Sequence, residues 1–239
     1  MPTPALLYVT QVAPYRDGPA GIHGVLDQSA TAIAELAEMA GLRCTRVTDV
    51  RALAAETLAG AAVVALFTIG ETPWSTDQRA ALLRQVRSGA TSVLAVHSAT
   101  DSCHDWDEYG RLVGARFAGH PWTRTMTLDV HRSDHPALAH LGPTWTWHDE
   151  VYLFNDLRPD AQVLLTVRPY ELGPEGHGRA PDAPRPALTE GGYPLAWCFT
   201  EGEGRVFSTA LGHFPHAWES TDYLGHLLGG LRWLGGDTA

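Results

Sequence analysis

Two unbroken runs of apolar residues, at 60–70 and 91–97, constrain the fold of this chain more than any other feature. GAAVVALFTIG and TSVLAVH are apolar at successive positions, which is typical of strands buried on both faces of a parallel sheet. Between them, Ser75 and Gln78 have the spacing of a capping box, and the helix that they begin should end at Gly89. Strand, helix and strand joined by short connections predict an α/β fold, with a parallel sheet covered by helices on both faces.

The rest of the chain continues this alternation. Further strands are predicted at 5–10, 42–49, 126–132, 163–169, 194–200 and 205–212, and further helices at 25–41, 98–117 and 223–236. The Pro- and Gly-rich stretch 173–192 is predicted to be an exposed loop, with a mobile flap as the alternative. A hydrophobic content of 44% without a dividing linker predicts one domain over 1–239.

The net charge of −10 excludes whole classes of partner. Nucleic acid and anionic membranes require clustered basic residues, and only 17 are scattered along this chain. A small polar substrate fits this charge better, and the oligomeric state stays open, a homo-oligomer being one option. We expect a cytoplasmic protein, because no leader segment and no apolar run of about 20 residues is present. Three widely spaced cysteines indicate neither a disulfide framework nor a thiolate zinc cage.

Histidines concentrate where a buried strand stops. Of the twelve in the chain, seven fall between His97 and His148. His97 ends the predicted strand, and Ser98, Asp101 and His104 follow it at the start of the predicted helix. Because functional groups gather at the carboxyl ends of parallel strands, this junction is a candidate site. For Asp101 the alternative is a helix cap.

Three separated motifs carry a resemblance to a known family. They are VLAVHSATDSCHDWDEYGRLVGARFAGHP (93–121), WHDEVY (147–152) and GRVFSTALGHFPHAW (204–218), in that order. Together they resemble the ThuA-like, or trehalose-utilisation, family, whose fold is similar to that of class I glutamine amidotransferases. The resemblance implies a flavodoxin-like three-layer sandwich with a mostly parallel central sheet. It also implies a place in disaccharide catabolism, and hence a carbohydrate substrate.

The resemblance argues against glutamine hydrolysis in this chain. His97 stands where an amidotransferase has its nucleophilic cysteine, and Cys103 lies too far along the chain to replace that thiolate. A neutral imidazole instead carries protons near pH 7 and binds zinc and similar metals. In this fold the strand before His213 lies beside the strand that ends at His97. We therefore expect His97, His120 and His213 to hold a divalent metal.

The remaining candidates come from the same three motifs, except Trp122, which directly follows the first of them. Glu150 is a candidate general base with a raised pKa, and pairing with an arginine is its alternative. His120 and the three residues His148, Asp149 and Glu150 are expected in loops between the strands, and His120 and His148 are as compatible with structural roles as with functional ones. The predicted catalytic residues are His97, Asp101, Glu150 and His213, and the predicted substrate-binding residues are Ser98, His104, Trp122, His148, Tyr152 and His216. The aromatic rings among them suit a sugar, which binds well to a flat apolar face edged by hydrogen-bonding groups.

The sequence leaves two function classes open. The first is an enzyme that acts on a sugar or keto sugar through metal-assisted or acid–base chemistry, by isomerisation, elimination or hydrolysis. The second is a non-catalytic binding or assembly module that kept the fold without the cysteine. A nucleotide binder is disfavoured, because the loop after the first strand lacks a G-x-G-x-x-G pattern. No flavin or nicotinamide is therefore expected.

Overall fold

The computed structural model describes residues 3–21, 23–172 and 186–236. Its strands are β1 (Ala5–Val12), β2 (Pro14–Tyr15), β3 (Gly18–Ala20), β4 (Arg43–Val47), β5 (Ala61–Ile69), β6 (Ser92–Val96), β7 (Arg116–Val130), β8 (Thr144–Asn155), β9 (Gln162–Val167), β10 (Tyr193–Glu201) and β11 (Gly204–Thr209). Its α-helices are α1 (Leu26–Met39), α2 (Ala55–Ala59), α3 (Thr76–Arg87), α4 (Asp107–Val113), α5 (Pro169–Leu172) and α6 (Thr221–Leu234). Short 3₁₀ turns lie at Val50–Ala52, His97–Asp101 and Pro215–Glu219.

Nine of the strands form one sheet in the order β4-β1-β5-β6-β11-β10-β9-β7-β8. The pairs from β4 to β11 are parallel, and the pairs from β11 to β8 are antiparallel. All of these strands except β7 and β10 therefore run in the same direction. Helices flank the sheet, with α1 packed against α6 and α2 against α3. The predicted α/β fold with a mostly parallel central sheet is confirmed.

The two apolar runs form the buried centre of the sheet. All residues of β6 are buried, and β5 is buried except at Ala62. The predicted capping box also forms, since Ser75 Oγ accepts from the Gln78 amide and Gln78 Oε1 accepts from the Ser75 amide. Because β6 and β11 are parallel neighbours, the residues that follow them emerge at the same edge of the sheet.

The sequence reading was wrong in two segments. The helix predicted at 98–117 is a 3₁₀ turn, an irregular segment and then α4, and Phe117 lies in β7. His120 and the three residues His148, Asp149 and Glu150 were placed in loops, but they belong to β7 and β8. Polar side chains in these strands interrupt the alternation of apolar residues by which a strand is recognised in a sequence.

Two further expectations concern the loop predicted at 173–192 and membrane-spanning segments. Residues 173–185 of the predicted loop lie outside the described residues. Within the described residues, no helix is both long enough and apolar enough to cross a lipid bilayer.

Gly70 directly follows β5, and its backbone is hydrogen-bonded to Asp101 and Cys103 in the segment after β6. It gives a first testable prediction. Its φ is +75°, and a Cβ atom there would lie 2.1 Å from the carbonyl oxygen of Ala13. We expect Gly70→Ala to lower the free energy of unfolding by about 3 kcal/mol, since left-handed backbone and a backbone clash add. Urea unfolding measures this loss. Gly18→Ala is the matched control, because no atom lies within 4 Å of its added Cβ. Equal stability of the two variants would contradict the prediction.

Candidate functional site

The carboxyl edge of the parallel strands is organised around His97. This residue directly follows β6, is fully buried and has a φ of 49°, which is unusual for a residue other than glycine. Its Nδ1 lies 2.7 Å from the carbonyl oxygen of Ala210, which follows β11. A carbonyl oxygen only accepts hydrogen bonds, so Nδ1 carries the proton. The lone pair of Nε2 is therefore directed at the groups that surround it.

Two more imidazoles meet His97, and the three form what we call the imidazole cluster: His23, His97 and His213. Their candidate ligand atoms all lie within 4.8 Å of one another. His97 Nε2 is 3.1 Å from His213 Nδ1, and the ring centroids of His23 and His97 are 5.0 Å apart. Neither ring nitrogen of His23 has a hydrogen-bond partner among the described residues, although both are buried. The cluster thus holds one imidazole, that of His23, with both nitrogens available to a further partner.

The three imidazoles are held in the neutral form. Burial lowers the pKa of His97 well below its ordinary value and also lowers the pKa of His213. Burial lowers the pKa of His23 to about 4, with a smaller contribution from His213. Neutral imidazole is the form that donates a lone pair to a cation. The cluster is therefore ready to bind metal near pH 7 without first losing protons.

Glu150 brings a carboxylate to the open side of the imidazole cluster. Its Oε2 lies 3.3 Å from His213 Nδ1 and 3.6 Å from His97 Nε2, and its Oε1 lies 3.5 Å from His120 Nδ1. Burial raises the pKa of Glu150 to about 7, and the charge of the neighbouring Asp149 adds to the shift. The charged partners of Glu150 among the described residues are histidines, and none of the arginines described there is bonded to it.

A bend in the β7–β8 hairpin places Glu150 and Tyr152 over the sheet edge. β8 stands five places from β6 in the sheet order, yet the Tyr152 hydroxyl lies 3.0 Å from His97 Nε2. Between the pairs Gly119–Leu153 and Trp122–Val151, two residues of β7 oppose Tyr152 alone. Such a bulge bends a strand and redirects its side chains.

His120 lies in this bulge rather than in the imidazole cluster. Its side chain is 46% exposed, and its Nδ1 lies 3.5 Å from Oε1 of Glu150. The sequence predicts His97, His120 and His213 as metal ligands, whereas in the structure His97 and His213 lie close to His23. His23 was missed because it lies in the short segment between β3 and α1, where no local spacing marks a ligand.

Asp101 ends the turn that begins at His97, at the same edge of the sheet. It accepts hydrogen bonds from the Tyr15 hydroxyl at 2.5 Å and from His104 Nε2 at 2.9 Å. The bond to Asp101 raises the pKa of His104. Helix α4 begins only at Asp107 with Trp106 as its N-cap, so the alternative that Asp101 caps this helix is wrong. The open cavity beside Asp101 measures about 620 Å³ and is lined by Tyr15, Arg16, Asp17, Gly18, Glu71, Asp101, His104 and Asp105, a set that includes neither the imidazole cluster nor Glu150.

The other predicted binding residues lie at different depths. Ser98 is fully buried, and its Oγ has no hydrogen-bond partner in the part of the chain that the structure describes. Trp122 is half-buried on β7. His148 and His216 are exposed at the rim, where His216 Nε2 donates to the His148 carbonyl oxygen at 2.9 Å and both rings contact Phe214. Through Phe214, which packs on His213, this rim continues into the cluster.

Cys103 is not an activated nucleophile. It is buried beneath the cleft, where its Sγ lies 3.0 Å from the Thr72 hydroxyl. Burial raises the pKa of its thiol to about 11, so the reactive thiolate is scarce at neutral pH. This geometry gives no support to the thiolate chemistry of an amidotransferase.

Comparisons with known proteins agree on one family. The sequence profile of the ThuA family, described as trehalose utilisation, matches residues 16–234. A comparison with curated protein sequences gives no match. Among solved structures, a ThuA-like protein of Bacteroides uniformis is 17% identical with a TM-score of 0.72, and the alignment covers 100% of this chain and 94% of that one. A ThuA-like protein of Parabacteroides merdae is 18% identical with a TM-score of 0.69, covering 98% and 90%. At these identities the structural likeness concerns the fold.

Proposed function

The chain belongs to the ThuA, or trehalose-utilisation, family, and from that membership we propose that it is an enzyme acting on an oxidised (keto) sugar. A divalent cation such as zinc would be held by the imidazole cluster, and Glu150 would serve as the base. One observation carries this proposal: three neutral imidazoles from separate parts of the chain converge within 4.8 Å beside a partly accessible carboxylate.

The arrangement of the imidazoles fits a cation. Two nitrogen ligands bound to tetrahedral zinc at 2.0–2.1 Å lie about 3.3 Å from each other, and His97 Nε2 and His213 Nδ1 are 3.1 Å apart. The N–H of His97 Nδ1 is bonded to a backbone carbonyl, as is usual for a metal-binding histidine whose other nitrogen faces the metal. A cation would also give His23 the partner that it lacks among the described residues.

The chemistry that suits this site is proton transfer next to a carbonyl group. A bound cation would supply a Lewis acid that polarises the carbonyl oxygen of the sugar. Glu150 would take the proton from the neighbouring carbon, and the electron pair of that C–H bond would move toward the carbonyl oxygen. Isomerisation follows when the former carbonyl carbon takes up a proton and the hydroxyl on the deprotonated carbon passes its proton to the first oxygen, which makes the new carbonyl. Departure of a leaving group with its electron pair from the next carbon gives elimination instead. Both reactions begin with the same step at Glu150.

The cavity beside Asp101 supports a sugar as the substrate. Asp101 is nearly buried and is oriented by two hydrogen bonds, while Tyr15 and His104 present rings with centroids 6.2 Å apart. Carboxylates accept hydrogen bonds from sugar hydroxyls, and aromatic faces pack against the apolar face of a sugar ring. The cavity of about 620 Å³ is large enough for a sugar of one or two rings.

Metal analysis of protein purified without an affinity tag tests the cation. We expect about one equivalent of a divalent cation per chain, removable by a chelator, in the unmodified protein. His213→Ala should lose this cation, because it removes one of three ligands from a partly exposed position. His140→Ala is the matched control, since His140 is exposed and bonded to the Asp222 carbonyl oxygen away from the cluster.

Deuterium exchange tests the reaction and separates the two function classes. Cation-loaded protein and a panel of keto mono- and disaccharides in D₂O should give deuterium at the carbon beside the carbonyl, measured by NMR. Chelated protein should give none. A protein that retains no cation, and that binds sugar equally well as His97→Ala and as Glu150→Ala, would instead be a non-catalytic binding module.

A further inference from the structure

Asp149 is a fully buried carboxylate that the proposed reaction does not use. It precedes Glu150 on β8, and successive side chains of a strand point to opposite faces. Glu150 enters the cleft, whereas Asp149 points into the protein and accepts three hydrogen bonds. Its Oδ2 accepts from Gly212 N at 2.8 Å and Trp147 Nε1 at 3.0 Å, and its Oδ1 accepts from Glu150 N at 2.9 Å.

These donors belong in part to two different elements, β8 and the loop after β11. Glu150 N belongs to the strand that carries the base, and Gly212 N belongs to the loop that carries His213. One carboxylate therefore holds both backbones, with one oxygen directed to each. All three donors are N–H groups, which is what an ionised carboxylate accepts. Burial raises the pKa of Asp149, and the bonds from Gly212, Trp147 and Glu150 oppose that shift.

The loop before His213 depends on side chains for its shape. His97 donates to the Ala210 carbonyl oxygen, Tyr223 donates to that of Leu211 at 2.9 Å, and Trp218 Nε1 donates to that of Gly212 at 3.0 Å. Gly212 has a φ of +118°, and a Cβ there would lie 2.3 Å from the Tyr223 hydroxyl. The bond from Gly212 N to Asp149 completes this set and is the one that reaches across to β8.

We propose that Asp149 is a positioning residue that fixes the loop carrying His213 relative to the strand carrying Glu150, and so, through His213, sets the affinity of the imidazole cluster for a divalent cation. The inference rests on the proposed function, because it assumes that the cluster binds a cation. Asp149 acts without touching cation or substrate. Groups that orient metal ligands from behind typically change metal affinity by about 10- to 100-fold.

Asp149→Asn removes this positioning with little change in volume. An amide has one acceptor oxygen, and its NH₂ group must face either Glu150 N or Gly212 N and Trp147 Nε1, which are all donors. In either orientation one of the two backbones loses its partner. A purely structural role would lower stability and leave the arrangement of the ligands in the folded protein unchanged.

Titration of the chelated full-length chain with Co²⁺ tests the inference, because the visible bands of Co²⁺ report the number and geometry of its ligands. We expect Asp149→Asn to bind Co²⁺ at least about tenfold more weakly than the unmodified protein, and with altered bands. Asp156→Asn is the matched control, an exposed aspartate just after the end of the same strand. It should match the unmodified protein in both affinity and spectrum.

The outcomes separate this inference from the proposed function. Unchanged Co²⁺ affinity and spectrum in folded Asp149→Asn would overturn the positioning role while leaving the cation site intact. Failure of the unmodified protein to bind Co²⁺ would overturn the proposed function, and this inference with it. If Asp149→Asn does not fold, Trp147→Phe removes one donor and keeps the carboxylate. It should weaken Co²⁺ binding by up to about tenfold, and an unchanged affinity would again overturn the role.

Discussion

Glu150→Gln should abolish the proposed reaction while the protein stays folded. The amide of glutamine has the size of the carboxyl group but does not accept a proton, so the step that begins both isomerisation and elimination is lost. We expect the rate of deuterium exchange into a keto sugar to fall by about a thousandfold, within the range contributed by a general base. The measurement compares NMR exchange rates of cation-loaded wild-type and variant protein under identical conditions.

The control for this variant is Glu35→Gln, an exposed carboxylate on α1 that does not line the cavity beside Asp101. It should keep the wild-type exchange rate, because Glu35 belongs neither to the imidazole cluster nor to the proposed sugar site. A Glu150→Gln protein that exchanges deuterium at the wild-type rate would show that another group is the base.

The same substitution should stabilise the chelated protein above neutral pH. The pKa of Glu150 is raised from 4.5 to about 7 in the folded state, so the fold favours the protonated carboxyl. Its contribution to stability is fully present below pH 4.5 and is lost as the pH rises through 7. Glutamine resembles the protonated form at every pH. We expect a gain of roughly 1–2 kcal/mol for Glu150→Gln in chelator at pH 8, after allowance for solvent screening. Urea unfolding at pH 4 and pH 8 checks the sign.

The part of the site that could be predicted is the part that follows from parallel strands. Strands β5 and β6 are visible as apolar runs, and the capping box at Ser75 marks the helix between them. Once the family resemblance places the strand before His213 beside the one that ends at His97, their meeting follows from topology. The observed contact of 3.1 Å needs no further local signal.

The rest of the site depends on contacts between residues far apart in sequence. His23 follows the β2–β3 hairpin. This hairpin is held at the site by a hydrogen bond, because the Tyr15 hydroxyl donates to Asp101, 86 positions away. Glu150 and Tyr152 reach the cluster because a bulge in β7 bends the hairpin that carries them. Neither the Tyr15–Asp101 hydrogen bond nor the bulge leaves a periodic pattern in the sequence. The sequence therefore predicts loops where the structure has polar segments of β7 and β8.

His97 combines a ligand, a hydrogen-bond donor and a strained backbone, and a pair of variants separates these contributions. His97→Ala removes the imidazole, leaves the Ala210 carbonyl oxygen without its donor and keeps a side chain at a φ of 49°. We expect its free energy of unfolding in chelator to fall by about 3 kcal/mol. His97→Gly should be about 1 kcal/mol more stable than His97→Ala, because glycine adopts left-handed backbone without strain. Urea unfolding measures both values.

Cation affinity should fall at least about a hundredfold in both His97 variants, since the central ligand is absent from each. His226→Ala is the control for burial, because His226 is equally buried and hydrogen-bonded to Ala137 and Thr209 away from the cluster. It should lose stability to a similar extent and still bind the cation, because its loss disturbs packing but removes no ligand. Wild-type Co²⁺ affinity in either His97 variant would exclude His97 as a ligand. Equal loss of affinity in His226→Ala would mean that stability, rather than ligation, controls binding.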